Sequence, residues 1–80
     1  PNPFREQLTL EYQLTDKSDV EIIIYDSSGK KVKHINMNNQ SAGNYRRNVT
    51  TSGDEFAEGM YHINIKAGAS VFKESLMKVK

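Results

Sequence analysis

The stretch that decides the fold is "VEIIIYDSSGKKVKHINM", residues 20–37. Its first half places apolar side chains on both faces of an extended strand, with Val20, Ile22 and Ile24 on one face and Ile23 and Tyr25 on the other. A strand that is apolar on both faces is typical of a central or covered position in a sheet. "DSSGK" follows, and Gly29 suits the positive φ of a tight turn. The stretch therefore predicts a β-hairpin.

The strand after this turn breaks strict alternation. Val32 and Ile35 lie three residues apart, whereas a regular strand repeats every two residues. Either a β-bulge absorbs the extra residue or the strand ends early. "NNQSAGN", residues 38–44, is predicted to be a loop.

Strand patterns continue on both sides of the hairpin. Alternation over every second residue places Leu8, Leu10, Tyr12 and Leu14 on one face of a first strand, Tyr45, Arg47 and Val49 on one face of a later strand, and Tyr61, Ile63 and Ile65 on one face of another. A last segment, residues 71–80, combines apolar residues with lysines. No helical periodicity extends over ten residues, and the strands recur about every 8–12 residues. The sequence predicts an all-β fold, a small antiparallel immunoglobulin-like β-sandwich of six to seven strands. The predicted core residues are Leu8, Leu10, Tyr12, Val20, Ile22, Ile24, Tyr61, Ile63 and Ile65.

Length and composition limit what this chain can be. Its 80 residues predict a single domain, residues 1–80, and the absence of cysteine excludes disulfides and thiolate metal sites. A net charge of +1 argues against a dedicated nucleic-acid-binding protein. The sequence begins with proline and shows neither a signal peptide nor a membrane-spanning apolar run, so we expect a fragment of a longer chain.

The sequence gives little support for catalysis or for a cofactor. The two histidines, His34 and His62, lie within strands and have no aspartate beside them in the sequence to orient the ring. Asp54, Glu55 and Glu58 share one loop and supply oxygen ligands of the type calcium prefers, but their spacing matches no calcium-binding motif. We predict no catalytic residue, no cofactor and no metal.

Basic residues are concentrated in the middle of the chain. Between Ser27 and Gly53 there is no acidic residue, whereas this segment contains Lys30, Lys31, Lys33, Arg46 and Arg47. If the third and fourth strands come together, these residues form one basic face. Such a face is commonly a solvated surface, and the functional alternative is a docking face for an acidic partner or an anionic glycan.

Several short motifs occur in a distinctive order along the whole chain. They are "PNPF", "LTLEYQL", "VEIIIYDSSGKKV", "SAGNY", "EGMYHINI" and the terminal "KESLMKVK". In this order and spacing the chain resembles the type A C-terminal sorting domain of the type IX, or Por, secretion system of the Bacteroidota. The resemblance implies an export signal for cargo attached on its N-terminal side.

The resemblance also assigns roles to individual residues. It implies that recognition by the translocon involves Pro1, Asn2, Pro3, Phe4, Gly59, Tyr61, Lys73, Lys78 and Lys80, and that Tyr25, Asp26 and Gly29 form a characteristic hairpin. The tryptophan that many relatives carry before the glycine–tyrosine strand is missing here. For Gly59 and Tyr61, a role in the core alone is an equally good interpretation.

The implied partners are the type IX translocon and a sortase-like surface protease, with transit through the periplasm to the cell surface. An exposed edge strand predicts in addition that the chain can form a homodimer by strand pairing. The alternative function is an accessory sandwich of a secreted hydrolase, either carbohydrate-binding or adhesin-like. Tyr45 and Phe56 are the only candidates for stacking on a sugar.

Overall fold

The computed structural model describes residues 4–51 and 56–79. These residues form six β-strands: β1 Gln7–Leu14, β2 Ser18–Asp26, β3 Lys31–Gln40, β4 Gly43–Thr50, β5 Gly59–Ala67 and β6 Ser70–Lys78. β1 and β4 form a two-stranded antiparallel sheet, and the other strands form a four-stranded antiparallel sheet in the order β3-β2-β5-β6. The predicted small β-sandwich is confirmed. In the described part of the chain there is no helix that could cross a membrane.

The doubly apolar strand is central, as its pattern predicts. β2 lies between β3 and β5. Ile22 and Ile24 are fully buried between the two sheets, and Ile23 is only 6% exposed on the opposite, outer face of the four-stranded sheet. There Ile23 lies opposite His34 of β3 and Asn64 of β5, whose side chains flank it. Coverage by both neighbouring strands explains why an apolar residue is tolerated on this outer face.

The turn after β2 is stabilised by one carboxylate. Oδ1 of Asp26 accepts hydrogen bonds from the Ser28 hydroxyl at 2.7 Å and from the backbone N–H groups of Ser28 and Lys30 at 3.0 Å. Gly29 has the predicted positive φ, 89°. The Ser28 hydroxyl, followed by the Lys30 N–H, lowers the pKa of Asp26 because these donors favour the ionised carboxylate.

β3 is longer and more irregular than predicted. Between the pairs Ile24–Lys33 and Tyr25–Lys31 it contains one extra residue, Val32, which confirms the bulge. A second register shift lies near Asn39, whose φ is +56° and whose N–H donates to the Asp19 carboxylate at 2.9 Å. This bulge lets β3 continue to Gln40, so the prediction of a loop over residues 38–44 is wrong; only residues 41–42 connect β3 to β4.

The core lies between the two sheets. All nine predicted core residues are buried, which confirms the assignment of strand faces. Sequence reasoning missed further buried side chains: Phe4, Leu14, Val49, Thr51, Phe56, Ala67 and Leu76. Phe4, Thr51 and Phe56 lie outside the strands, so no alternating pattern could reveal them.

β6 contributes less to the core than its composition suggests. Leu76 is buried, whereas Val71, Phe72 and Met77 are 52%, 42% and 38% exposed. Phe72 lies opposite buried Ile65 and so faces the inner side of the sheet, yet it is exposed. The two-stranded sheet therefore leaves the inner side of β6 partly uncovered.

Candidate functional site

The two ends of the described chain meet at one end of the sandwich. Phe4 forms an isolated parallel bridge with Lys78, the last residue of β6. The Phe4 N–H donates to the Met77 carbonyl at 2.9 Å, and the Val79 N–H donates to the Phe4 carbonyl at 2.8 Å. Backbone hydrogen bonds thus join the first motif, "PNPF", to the last, "KESLMKVK", although the two are far apart in the sequence.

The Lys78 ammonium group reinforces this junction. Its Nζ donates hydrogen bonds to the carbonyls of Arg5 and Thr51, the latter at 3.0 Å, and lies 5.8 Å from the centre of the Phe4 ring. Thr51 is fully buried; its hydroxyl donates to the Arg5 carbonyl and its N–H donates to the Glu6 carbonyl, both at 2.9 Å. Lys78 therefore connects three separate parts of the chain: the segment before β1, the end of β4 and the end of β6.

Three aromatic rings fill the space beneath this junction. The Tyr61 ring lies 6.1 Å from that of Phe4, nearly edge-on, and 5.3 Å from that of Phe56. The Tyr61 hydroxyl donates to the Ala57 carbonyl at 2.6 Å and so has the partner expected of a buried tyrosine. Burial, with a smaller contribution from the negative charge of Asp26, raises the pKa of Tyr61. We call Phe4, Thr51, Phe56, Tyr61 and Lys78 the terminal clasp.

Gly59 lies directly beside the clasp, opposite Lys78 in the β5–β6 ladder. Its φ is +144°, a backbone conformation that L side chains rarely adopt, although a Cβ at this position would meet no atom of the described residues within 4 Å. Glycine is thus required here by the backbone conformation and not by lack of space.

The predicted recognition residues separate into three groups. Phe4, Gly59, Tyr61 and Lys78 come together at the clasp. Lys73 does not: it lies five residues before Lys78 on β6, opposite Asn64 on the outer face, and is exposed. Pro1, Asn2, Pro3 and Lys80 lie outside the described residues.

The predicted basic face is not formed by strand pairing. β3 and β4 belong to different sheets, so they do not pair with each other. Arg47 is half-buried and donates to Gln40 at 2.9 Å, with its guanidinium 5.7 Å from the centre of the Tyr45 ring. Arg46 lies on the opposite face of β4, across from Glu11 in the β1–β4 ladder. Lys30 and Lys31 instead line a groove beside the hairpin, together with Tyr61.

The histidines have partners that linear sequence does not show. His34 Nε2 lies 2.7 Å from the Glu21 carboxylate, and His62 Nδ1 lies 2.9 Å from the Ser75 hydroxyl. Each pair joins two neighbouring strands on the outer face of the four-stranded sheet. Strand register, not proximity in sequence, therefore brings the partners together.

The described residues provide no defined site for either calcium or sugar stacking, the two alternatives considered for this chain. Asp54 and Glu55 lie outside the described residues, and residues 4–51 and 56–79 contain no cluster of three His, Asp or Glu side chains suited to a metal. Phe56 is 3% exposed, so its interpretation as a sugar-stacking residue is wrong. Tyr45 is half-buried, stacks on Tyr12 at 5.4 Å and donates its hydroxyl proton to the Ser41 carbonyl.

Comparison with known proteins identifies the family. The family model described as "Secretion system C-terminal sorting domain" matches residues 1–79 of this chain. No curated protein and no solved structure matches it. Domains of this family are the C-terminal sorting signals of type IX secretion, which implies a cargo on the N-terminal side and export to the cell surface or the extracellular space. With nearly its whole length matched and a sandwich fold in agreement, this chain belongs to the family of type IX secretion C-terminal sorting domains.

Proposed function

We propose that this sorting domain directs its cargo through the outer membrane by presenting a folded sandwich whose two ends are held together by the terminal clasp. The observation that carries this proposal is the parallel bridge between Phe4 and Lys78. It sets the segment joined to the cargo beside the end of β6, where the terminal motif "KESLMKVK" lies. A translocon protein, or a sortase-like surface protease, can then contact both ends of the domain at one place after the cargo has crossed the periplasm.

The residues of the clasp and Lys73 have different roles in this proposal. Phe4 and Tyr61 are 7% and 3% exposed, and the Lys78 ammonium donates to two backbone carbonyls. Their contacts support a role in holding the clasp together. Lys73 is exposed and forms no ion pair with any residue of the described ranges, which supports a role in direct contact with a partner.

We further propose that the domain performs no chemistry of its own. His62 and Ser75 form the closest arrangement to a base and a nucleophile, but they lie on the outer face of a sheet and not in a cleft. Among the hydrogen bonds between described residues, none joins the second ring nitrogen of His62 to a carboxylate, so the orienting group of a catalytic triad is missing.

A reporter with an inner-membrane signal, fused to the N-terminal side of this domain, tests the sorting function in a host with type IX secretion. We expect surface display of the intact fusion and none for the reporter alone. Removing residues 78–80 is a poor way to separate folding from sorting, because Lys78 links Phe4, Arg5 and Thr51. Lys73→Met, which alters an exposed side chain, is the better variant. Retention of the intact, folded fusion in the periplasm would show that the proposal is wrong.

A further inference from the structure

β6 is an edge strand that is ready to pair with another strand. Its ladder with β5 runs from Ser70 to Lys78 without a register shift. Among the described residues, only Phe4 pairs with its outer edge, and only at the Lys78 end. The stretch from Ser70 to Leu76, about 20 Å long, therefore has no described residue paired with its outer edge.

The backbone groups available along this edge can be identified. The Met77 carbonyl accepts a hydrogen bond from Phe4, so the polar groups of Met77 point away from β5. In an antiparallel ladder this direction alternates from one residue to the next. The N–H and C=O groups of Val71, Lys73 and Ser75 hence also point outward.

The side chains on this strand are unusual for a solvent-exposed edge. All three exposed large apolar residues of the described chain, Val71, Phe72 and Met77, lie on β6. Lys73 lies between Val71 and Met77 on the outer face and has no ion-pair partner among the described residues. An incoming strand with an apolar residue opposite Phe72 and a carboxylate opposite Lys73 would cover apolar surface and pair this charge.

From these features we infer that the edge of β6 from Ser70 to Leu76 binds an extended, acidic–apolar segment of another protein as a fifth strand of the sheet. This inference rests on the proposed function and names a contact through which a secretion partner recognises the folded domain. The chain's own Phe4 shows that the end of this edge accepts a backbone partner: as an isolated bridge it pairs with the last residue of β6 through two backbone hydrogen bonds.

A second copy of the chain fits this edge poorly. A two-fold dimer formed by antiparallel pairing places one residue opposite its own counterpart. If that residue is Lys73 or Glu74, like charges face each other, which is destabilising. Lys73 and Glu74 also lie on opposite faces of the sheet, so no such register places the one opposite the other.

The remaining registers leave Lys73 without a carboxylate. Centring the dimer on Phe72 places Lys73 opposite Val71. Centring it on Ser75 places Lys73 opposite Met77, whose carbonyl is already bonded to Phe4. Strand pairing with an acidic segment of a different protein can place a carboxylate opposite Lys73, which none of these homodimer registers does.

Two synthetic peptides of eight residues test the inference directly: one alternates valine with glutamate, the other valine with lysine. We expect the glutamate peptide to slow amide exchange at Val71, Lys73 and Ser75 by about fivefold at four times its Kd, and the lysine peptide to have no such effect. Lys73→Glu should reverse this preference, whereas Lys33→Glu on β3 should not. Equal effects of the two peptides, or no effect of either, would overturn the inference. Amide protection that grows with protein concentration in the absence of peptide would also overturn it, because a second copy of the chain would then bind the edge of β6.

Export of the reporter fusion gives an independent readout. We expect Lys73→Glu to reduce surface display several-fold, while Lys33→Glu leaves it unchanged and both variants keep the circular dichroism spectrum of the unaltered domain. Normal display of the folded Lys73→Glu fusion would overturn the use of this edge in sorting. Failure of the unaltered fusion to reach the surface would instead contradict the proposed function, and the peptide experiment would still decide whether the edge binds an acidic strand.

Discussion

The two outer strands of the four-stranded sheet, β3 and β6, differ in how they treat their unpaired edges. β3 contains two bulges, one at Val32 and one near Asn39, and carries lysines at Lys31 and Lys33. β6 also carries two lysines, Lys73 and Lys78, so the bulges, which discourage pairing at a sheet edge, are what set β3 apart. β6 is regular over its whole ladder with β5 and carries every exposed large apolar side chain of the described chain.

This difference shows that edge protection is selective in this domain. Apolar residues at an unpaired, regular edge favour association with other strands, and a small secreted domain gains nothing from such an edge unless a partner covers it. The bulges of β3 disfavour pairing at its edge, whereas β6 has no bulge in its ladder with β5. We therefore associate sorting with β6 and solubility with β3.

The largest expected effect comes from β2, the central strand that pairs with β3 and β5. Ile22 is fully buried and lies opposite Ile35 of β3 and Ile65 of β5, so it packs at the centre of the sheet. Ile22→Ala should lower the free energy of unfolding by about 2–5 kcal/mol, through lost burial and a residual cavity. Chemical denaturation monitored by circular dichroism measures this. If the variant unfolds at the same denaturant concentration as the unaltered domain, the assignment of the inner face is wrong.

The next largest effect should distinguish the two lysines of β6. Lys78→Met keeps an aliphatic stem but leaves the Arg5 and Thr51 carbonyls without their charged donor, so we expect a loss of about 1–2 kcal/mol in unfolding free energy. Lys73→Met is the matched control on the same strand and should change stability by less than about 0.5 kcal/mol, since Lys73 is exposed and has no ion-pair partner among the described residues. Equal destabilisation by both variants would contradict the role of Lys78 in the clasp.

The sequence predicts the strands and their faces well because alternation is a local property. The nine core residues, the Asp26–Gly29 turn and the bulge near Val32 could all be predicted from short stretches. The clasp could not, because Phe4, Thr51 and Lys78 are distant in sequence and meet only through the topology. The placement of β3 and β4 in different sheets could not be predicted for the same reason, since sequence proximity does not determine which strands pair.

The partial exposure of Phe72 could also not be predicted from the sequence. Its position on the inner side of β6 fits the pattern of a core residue. Its exposure depends on how far the opposing two-stranded sheet extends, and strand periodicity carries no information on this. The feature that most suggests a partner-binding edge is therefore visible only in the structure.

Amide hydrogen exchange should show a smaller, local difference along β6. We expect the outward-pointing amides of Val71, Lys73 and Ser75 to exchange more than about tenfold faster than those of Phe72 and Glu74, which bond to β5; about 1.4 kcal/mol of protection suffices for this. Exchange measured residue by residue by NMR tests the alternation. Uniform protection along residues 71–75 in dilute protein would mean that the edge is already covered and that the contrast with β3 does not hold.

The smallest expected effects depend on pH and act on the two edges separately. Hydrogen bonds from the Ser28 hydroxyl and the Lys30 N–H lower the pKa of Asp26 in the folded domain, so their stabilisation is present above the unfolded pKa and is lost as the pH falls through the folded value. Below about pH 4 the turn leading into β3 should therefore loosen.

Burial raises the pKa of Tyr61 in the folded domain. The stabilisation from its neutral hydroxyl is therefore present below about pH 10 and is lost as the pH rises through the folded pKa. This loss should loosen the clasp at the end of β6. Chemical shifts of Gly29 and Lys78, followed across both ranges, report the two events. Asp26→Asn should abolish the acid-dependent change alone, and Tyr61→Phe the alkaline change alone. If either variant abolished both changes, the two ends of the sheet would not respond independently, and the separation of the β3 turn from the clasp would be wrong.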